Sequence, residues 1–373
     1  MAASPLVVGI DGRELSGHPT GTGRYLRNLL RHWRSSGDTL VVYFDGEPPD
    51  DPVLDHPKVR ARGLGAGGTR GLVFQEWVLP RAVGADSLDV FFSPAYSCPL
   101  RIATPRVTAV HDLSFFAQPQ DFAWWDAARR RALVSASLRA SRLVPVCSEF
   151  TARELARLFP DLAERAVHIP LAADSDLPPG PSRAEARASL GVSGPLVLAV
   201  GAILNRRCLP ELLRAVARLR ERHAGLVLDV VGDNRTHPRL DLEGLVAALG
   251  LRESVRFSGF VDDAGLVRRY AAADVFVALS EYEGFGLPAL EAVTRGVPLV
   301  VGEPPSQGEI FRGAALLVPP RDEAQVANAI DRVLREPATR AALREAGESL
   351  ARRYSWHETA RLTHEALVRA ADR

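Results

Sequence analysis

Residues 274–291 read Asp274-Val275-Phe276-Val277-Ala278-Leu279-Ser280-Glu281-Tyr282-Glu283-Gly284-Phe285-Gly286-Leu287-Pro288-Ala289-Leu290-Glu291. Asp274–Leu279 is a short, nearly continuous apolar run, the pattern of a strand covered on both faces. Pro288 suits the first turn of a helix and Gly296 marks its end, so Gly284–Leu287 is a loop entering a helix N-terminus. The stretch is one βα unit. Such a loop offers free backbone N–H groups and the positive end of the helix dipole to an anion, and Gly284 and Gly286 let the backbone approach closely. Glu283 in the loop and Glu291 in the helix can reach different parts of one extended, hydroxyl-bearing ligand. Alone, Glu291 reads as an acid that satisfies the helix dipole. The whole string reads as a binding loop.

The same alternation of short apolar runs with helical patterns fills the chain, the signature of βαβ units and parallel sheets. In the first half it predicts strands at Leu6–Ile10, Leu40–Phe44, Asp89–Phe92, Val107–Val110 and Leu143–Val146. In the second they fall at Leu196–Val200, Leu226–Val231, Val255–Phe257, Val275–Ala278, Pro298–Val301 and Ala315–Val318. Two α/β stacks of similar size follow: residues 1–172 and 195–355. Between them 173–194 is a polar, Pro/Gly-bearing linker, and 356–373 is a terminal helix expected to pack back on the first domain. In such folds ligands sit at the carboxyl ends of the strands, which predicts a site in the cleft between the domains.

At 373 residues and 46% hydrophobic content the chain can build two cores. Lys and Arg total 46 against 45 Asp and Glu, so the net charge of +1 gives no general attraction to nucleic acid or an anionic bilayer. Cys98, Cys147 and Cys208 have neither a metal-ligand nor a disulfide spacing, which fits a reducing compartment. The N-terminus carries no basic-then-apolar leader, and no apolar run approaches the roughly 20 residues of a membrane span. A cytoplasmic protein is expected.

After Leu196–Val200 comes Gly201-Ala202-Ile203-Leu204-Asn205-Arg206-Arg207-Cys208. Two adjacent cations at a strand-to-helix turn can clamp a diphosphate; in an Arg-rich chain a solvated patch is the plainer reading. His111, at the end of Val107–Val110, is a ligand contact or a core histidine bonded to backbone. Asp112 is a turn acid or a helix cap, and Thr151-x-x-Glu154 a capping box. Gly21 and Gly23 follow the first strand. A dinucleotide-binding oxidoreductase would also place glycines there, with Asp45 as its ribose acid. Leu26 stands where its third glycine belongs, and the loop is too long for that turn.

The 281–291 string resembles the E-x7-E motif of the retaining glycosyltransferases of family 4, which have the GT-B architecture: two Rossmann-like domains with parallel sheets facing across a cleft. The Arg206-Arg207-Cys208 triplet is similar to the family's Arg-Lys-Asn, with Arg207 in place of Lys and Cys208 in place of Asn. His111–Pro119, Ser148–Glu154 and Phe74-Gln75-Glu76-Trp77-Val78-Leu79-Pro80 resemble segments of a subset of the family. The resemblance runs from about residue 10 to residue 300. It implies a metal-independent, retaining transferase that moves a hexosyl unit, mannosyl ahead of others, from a nucleotide-diphosphate sugar to a glycan, lipid-linked or small-molecule acceptor. Glu283 would contact donor-sugar hydroxyls with the Gly284, Phe285, Gly286 and Leu287 amides, Glu291 the ribose, Gly201, Arg206 and Arg207 the diphosphate, His111 the transferred sugar, and the Gly21 and Gly23 backbone N–H groups a phosphate or the acceptor. An epimerase or hydrolase of the same fold is the alternative.

No cofactor or metal is expected. The one Asp-x-Asp, Asp174-Ser175-Asp176, falls in the linker. Trp124, Trp125 and Arg129-Arg130-Arg131 lie on a helix that could touch a membrane; a solvated basic helix with one buried Trp is the favoured reading.

Overall fold

The computed structural model describes residues 5–17, 20–33, 37–65, 71–173, 177–303 and 305–372. Asp174-Ser175-Asp176 lies outside them. The chain divides into two compact units: one takes the residues up to Phe116, Trp125–Leu171 and the tail from Tyr354, the other Ala117–Trp124 and Ala172–Arg353.

The first unit is built on β1 (Val7–Asp11), β2 (Thr39–Phe44), β3 (Val59–Gly63), β4 (Val90–Ser93) and β5 (Arg106–Thr108), all parallel, in the order β3-β2-β1-β4-β5. A short parallel pair, β6 (Val144–Val146) and β7 (Ala166–His168), continues from β5 through single bridges. Val8, Ile10, Leu40 and Val90 are fully buried, as strands covered on both faces must be. The C-terminal helix Trp356–Ala371 belongs to this unit: Thr359 Oγ1 donates to Pro170 O at 2.7 Å, Arg142 Nη1 to Ala370 O at 2.6 Å, and Trp356 lies 6.1 Å from the Tyr25 ring.

The second unit holds β8 (Leu196–Val200), β9 (Val227–Val231), β10 (Val255–Gly259), β11 (Val275–Ala278), β12 (Leu299–Gly302) and β13 (Ala315–Val318), parallel in the order β10-β9-β8-β11-β12-β13. The order reverses between β8 and β11, which are neighbours. A crevice opens at the carboxyl ends of these two strands, the usual ligand position in such sheets.

The strand pattern of the sequence matches the sheets, but β3 and β7 were not expected. β3 is an edge strand of half-exposed and exposed residues, Val59-Arg60-Ala61-Arg62-Gly63, without an apolar run. The 173–194 segment is not simply a linker. Ser182 and Glu185 form a full capping box for the helix Arg183–Leu190, whose Arg187 Nη1 reaches Asp274 Oδ2 at 3.1 Å. Arg183 bonds the other Asp274 oxygen, so one acid at the head of β11 holds this helix on the second unit. The helix Glu149–Leu158 is capped by Ser148, whose hydroxyl accepts from Thr151 N at 3.1 Å, and not by Thr151. Asp112 is the turn acid, accepting from Ser114 N at 2.9 Å. On the helix Trp124–Ala140 both tryptophans are exposed, Trp124 by 82% and Trp125 by 57%, so neither is the expected buried one. Arg129 and Arg130 both pair with Asp126. Among the described residues no helix is long and apolar enough to cross a membrane.

Candidate active site

The crevice at the carboxyl ends of β8 and β11 is lined by Gly201, Arg207, Ser280, Glu283, Gly286, Pro288 and Gln307, among others. The loop after β8 turns through one 3-10 turn, Asn205–Arg207, and then enters the helix Leu209–Leu219. Successive side chains of a 3-10 turn point about 120° apart, so the two arginines diverge. Arg207 faces the pocket. Arg206 is 9% exposed and does not line it; its carbonyl accepts Glu281 N at 2.7 Å, joining the two loops, and its main chain donates to Asp121.

Gly201 is required twice. Its φ of +121° suits glycine alone, and a Cβ there would lie 2.0 Å from Arg207 Nη1. The Arg207 guanidinium thus packs against Gly201 at the end of β8. Cys208 adopts left-handed backbone, φ 48°, at the head of the helix Leu209–Leu219. Asn tolerates this conformation better than other L-residues. Its thiol is buried and pushed up to about 12 by that burial and by the Glu281 and Glu211 carboxylates, so it is protonated and inert. Cys98 and Cys147 are also buried thiols, in no disulfide.

The loop after β11 brings Glu283 to the same space. Its Oε2 accepts from Ser280 Oγ at 3.1 Å and from Arg207 Nη2 at 3.1 Å. Gly286, φ 90°, begins the helix Leu287–Thr294, with Pro288 in its first turn. Of the expected amide loop, Gly286 lines the pocket; Gly284, Phe285 and Leu287 do not, and Phe285 is buried at 4% exposure. Glu291 is 5% exposed and its Oε2 accepts from Tyr270 OH at 2.9 Å, a hydroxyl that also reaches Pro288 O at 3.2 Å. The acid is therefore a fixed, buried partner of Tyr270, and it does not line the pocket.

In the first unit the sequence expectation for Gly23 is corrected. Its N–H is already held by Thr20 Oγ1 at 2.9 Å, and a Cβ there would meet Glu14 O at 2.4 Å; the glycine serves close packing at a capped helix. Gly21 is the first residue of that helix, in open space. His111 Nε2 lies 2.8 Å from Pro94 O, and Tyr25 and Tyr96 stand edge-on to the ring at 4.9 and 5.9 Å. Burial holds its pKa below the usual value, so the imidazole is neutral, donating from Nε2 with only Nδ1 left for a further partner.

The string Phe74–Pro80 proves to share one network with the end of β1. Arg13 forks onto Asp11, Nε to Oδ1 at 3.0 Å and Nη2 to Oδ2 at 2.6 Å, and also reaches Gln75 Oε1 at 3.1 Å. Gln75 is 2% exposed and donates to Cys98 O at 3.0 Å. These residues stand at the end of β1 and in the π-helical turn Phe74–Val78, where this sheet's order also reverses. Sequence reading missed the pairing because the residues are 62 positions apart.

Two family models match the chain: Glycosyltransferase Family 4 over residues 19–177 and Glycosyl transferases group 1 over residues 182–350. The O-antigen chain mannosyltransferase B of Escherichia coli is 30% identical over 273 residues, 72% of this chain and 71% of that one. Sucrose-phosphate synthase from Thermosynechococcus elongatus has the same fold, with a TM-score of 0.78 at 24% identity, covering 97% of this chain and 98% of the other. Anabaena HepE, solved in complex with UDP-glucose, gives a TM-score of 0.78 at 19% identity with the same coverage, 97% and 98%. Two Rossmann-like units, an acid–glycine loop entering a helix and a likeness to a mannosyltransferase over 72% of the chain converge: the chain is a glycosyltransferase with the GT-B fold and belongs to glycosyltransferase family 4.

Proposed function

We propose that this enzyme transfers a hexosyl unit, mannosyl first among candidates, from a nucleotide-diphosphate sugar to a hydroxyl of a glycan or lipid-linked acceptor, with retention of anomeric configuration and without a divalent ion. One observation carries the donor assignment: Arg207 and Glu283 meet in a single pocket at the switch point of the second sheet. A guanidinium there matches a diphosphate, and a carboxylate beside it matches sugar hydroxyls. The mannosyl preference is supported by the E. coli relative's name, and the nucleotide-sugar donor by the UDP-glucose bound to the Anabaena neighbour.

In the reaction the bond from the anomeric carbon to the leaving phosphate oxygen breaks, and the acceptor oxygen bonds to the same face of that carbon. The acceptor proton passes to the leaving phosphate. Arg207 offsets the charge that grows on that phosphate, the task a divalent ion performs elsewhere; Arg206 supports it by tying the two loops together. Glu291, held by Tyr270 behind the pocket lining, is assigned to the ribose by the family resemblance alone. His111 offers Nδ1, as a neutral group, to the transferred sugar. The Asp11–Arg13–Gln75 network, with its carboxylate and amide, is suited to acceptor hydroxyls. Trp124 and Trp125, exposed on a helix that also carries arginines, suit peripheral contact with a membrane that bears a lipid-linked acceptor.

A panel of UDP-, GDP-, ADP- and dTDP-sugars, incubated in EDTA with and without acceptor glycans, tests the reading. Expected is nucleoside diphosphate release that depends on acceptor and a product whose anomeric proton coupling matches the donor's. Release without any acceptor, or a changed sugar nucleotide, would show a hydrolase or epimerase.

A further inference from the structure

The helix Pro305–Phe311 follows β12, which lies beside β11 in the sheet. It carries Gln307, 1% exposed, in the wall of the pocket that also holds Arg207, Ser280, Glu283 and Gly286. The amide lies close to the residue that caps the helix Leu287–Thr294, since a Cβ on Gly286 would come 3.5 Å from Gln307 Nε2. Gln307 Oε1 is buried and has no hydrogen-bond partner among the described residues. A buried acceptor left unpaired is unfavourable, and a leucine of about the same size would fill the position without that cost. The glutamine is therefore informative: its oxygen is satisfied only by a donor group that arrives in the pocket.

We propose that Gln307 determines specificity for the transferred sugar, its Oε1 accepting a hydrogen bond from one ring hydroxyl so that a donor bearing that hydroxyl is selected over its deoxy counterpart. The proposal rests on the donor occupying this pocket as described above. A site built to bond a hydroxyl rejects the analogue without it much more strongly than an apolar pocket rejects an extra methylene, because the site's own polar atom is then stranded.

The test is kcat/KM for the parent nucleotide sugar and for its 2-, 3-, 4- and 6-deoxy analogues, in the wild type, Gln307→Leu and the longer, isosteric Gln307→Met. In the wild type, one deoxy analogue should fall roughly ten- to a hundredfold below the parent. Both variants should lose a similar factor on the parent and nothing further on that one analogue, while binding of the nucleoside diphosphate alone stays at the wild-type level. Losses of equal factor on every donor, or no loss on any, with an active wild type would overturn the role of Gln307 and leave the donor site standing. A wild type inactive with every nucleotide sugar would overturn both.

Discussion

Arg207 Nη2 lies 3.1 Å from Glu283 Oε2, so the cation assigned to the diphosphate and the acid assigned to the sugar are partners before any donor arrives. The pair is mostly buried, with side-chain exposures of 23% and 18%. A donor must therefore draw Arg207 partly away from Glu283 or be shared by both. Glu283→Gln should leave nucleoside diphosphate binding equal or a few-fold tighter, because the guanidinium is released, while turnover falls about a hundredfold from lost sugar positioning. Isothermal titration beside a transfer assay reads the two effects; weaker diphosphate binding would mean that Glu283 orients Arg207 rather than competing for it.

Tyr270→Phe removes the hydroxyl that bonds Glu291 without changing the packed ring. If Glu291 holds the ribose, KM for the donor should rise about three- to tenfold, the worth of a neutral-to-charged hydrogen bond acting at second hand, with kcat little changed. Equal KM in mutant and wild type at a lowered melting temperature would make the pair structural.

Cys208→Asn should stabilise the protein. The residue sits at φ 48°, where a side chain other than Asn or Gly is strained by about 1–2 kcal/mol, and Asn is the residue the family commonly carries there. A gain of about 0.5–1 kcal/mol, or a few degrees in Tm, is expected. Calorimetry that finds the variant less stable would show that the buried thiol's packing outweighs the strain.

His111 should resist protonation. Its folded pKa is depressed by burial below the ordinary histidine value of about 6.5, so as pH falls through that value the unfolded state takes the proton first and the folded state loses stability. Above that pH the group contributes nothing to the slope. His111→Asn should flatten the decline of Tm between about pH 6.5 and 5 relative to wild type. An imidazole that titrates by NMR at or above 6.5 would contradict the neutral assignment.

Both sheets were readable because their inner strands are covered on both faces and so appear as unbroken apolar runs; β3 hid because Arg60 and Arg62 interrupt its pattern at an exposed edge. The helix Arg183–Leu190 hid behind a Pro/Gly stretch although Ser182-x-x-Glu185 announced its start. The residues of the donor loop were legible as a string, since Glu283 and Gly286 are close in sequence to the strand that presents them. What they touch was not. That Arg206 turns inward while Arg207 faces the pocket depends on one 3-10 turn, and Tyr270, Gln307 and the Arg13–Gln75 contact join residues from separate elements that no local pattern connects.

The most direct test of the account is calorimetry in EDTA with a nucleoside diphosphate and the matching free nucleoside, on wild type, Arg207→Ala and Arg207→Lys. A charge-assisted contact to phosphate contributes about 1.5–3 kcal/mol, so Arg207→Ala should lose roughly ten- to a hundredfold in affinity for the diphosphate and almost none for the nucleoside. Arg207→Lys should lose less, since the charge is kept. Equal losses for both ligands in Arg207→Ala, or diphosphate binding in wild type that appears only when Mg²⁺ is restored, would contradict it.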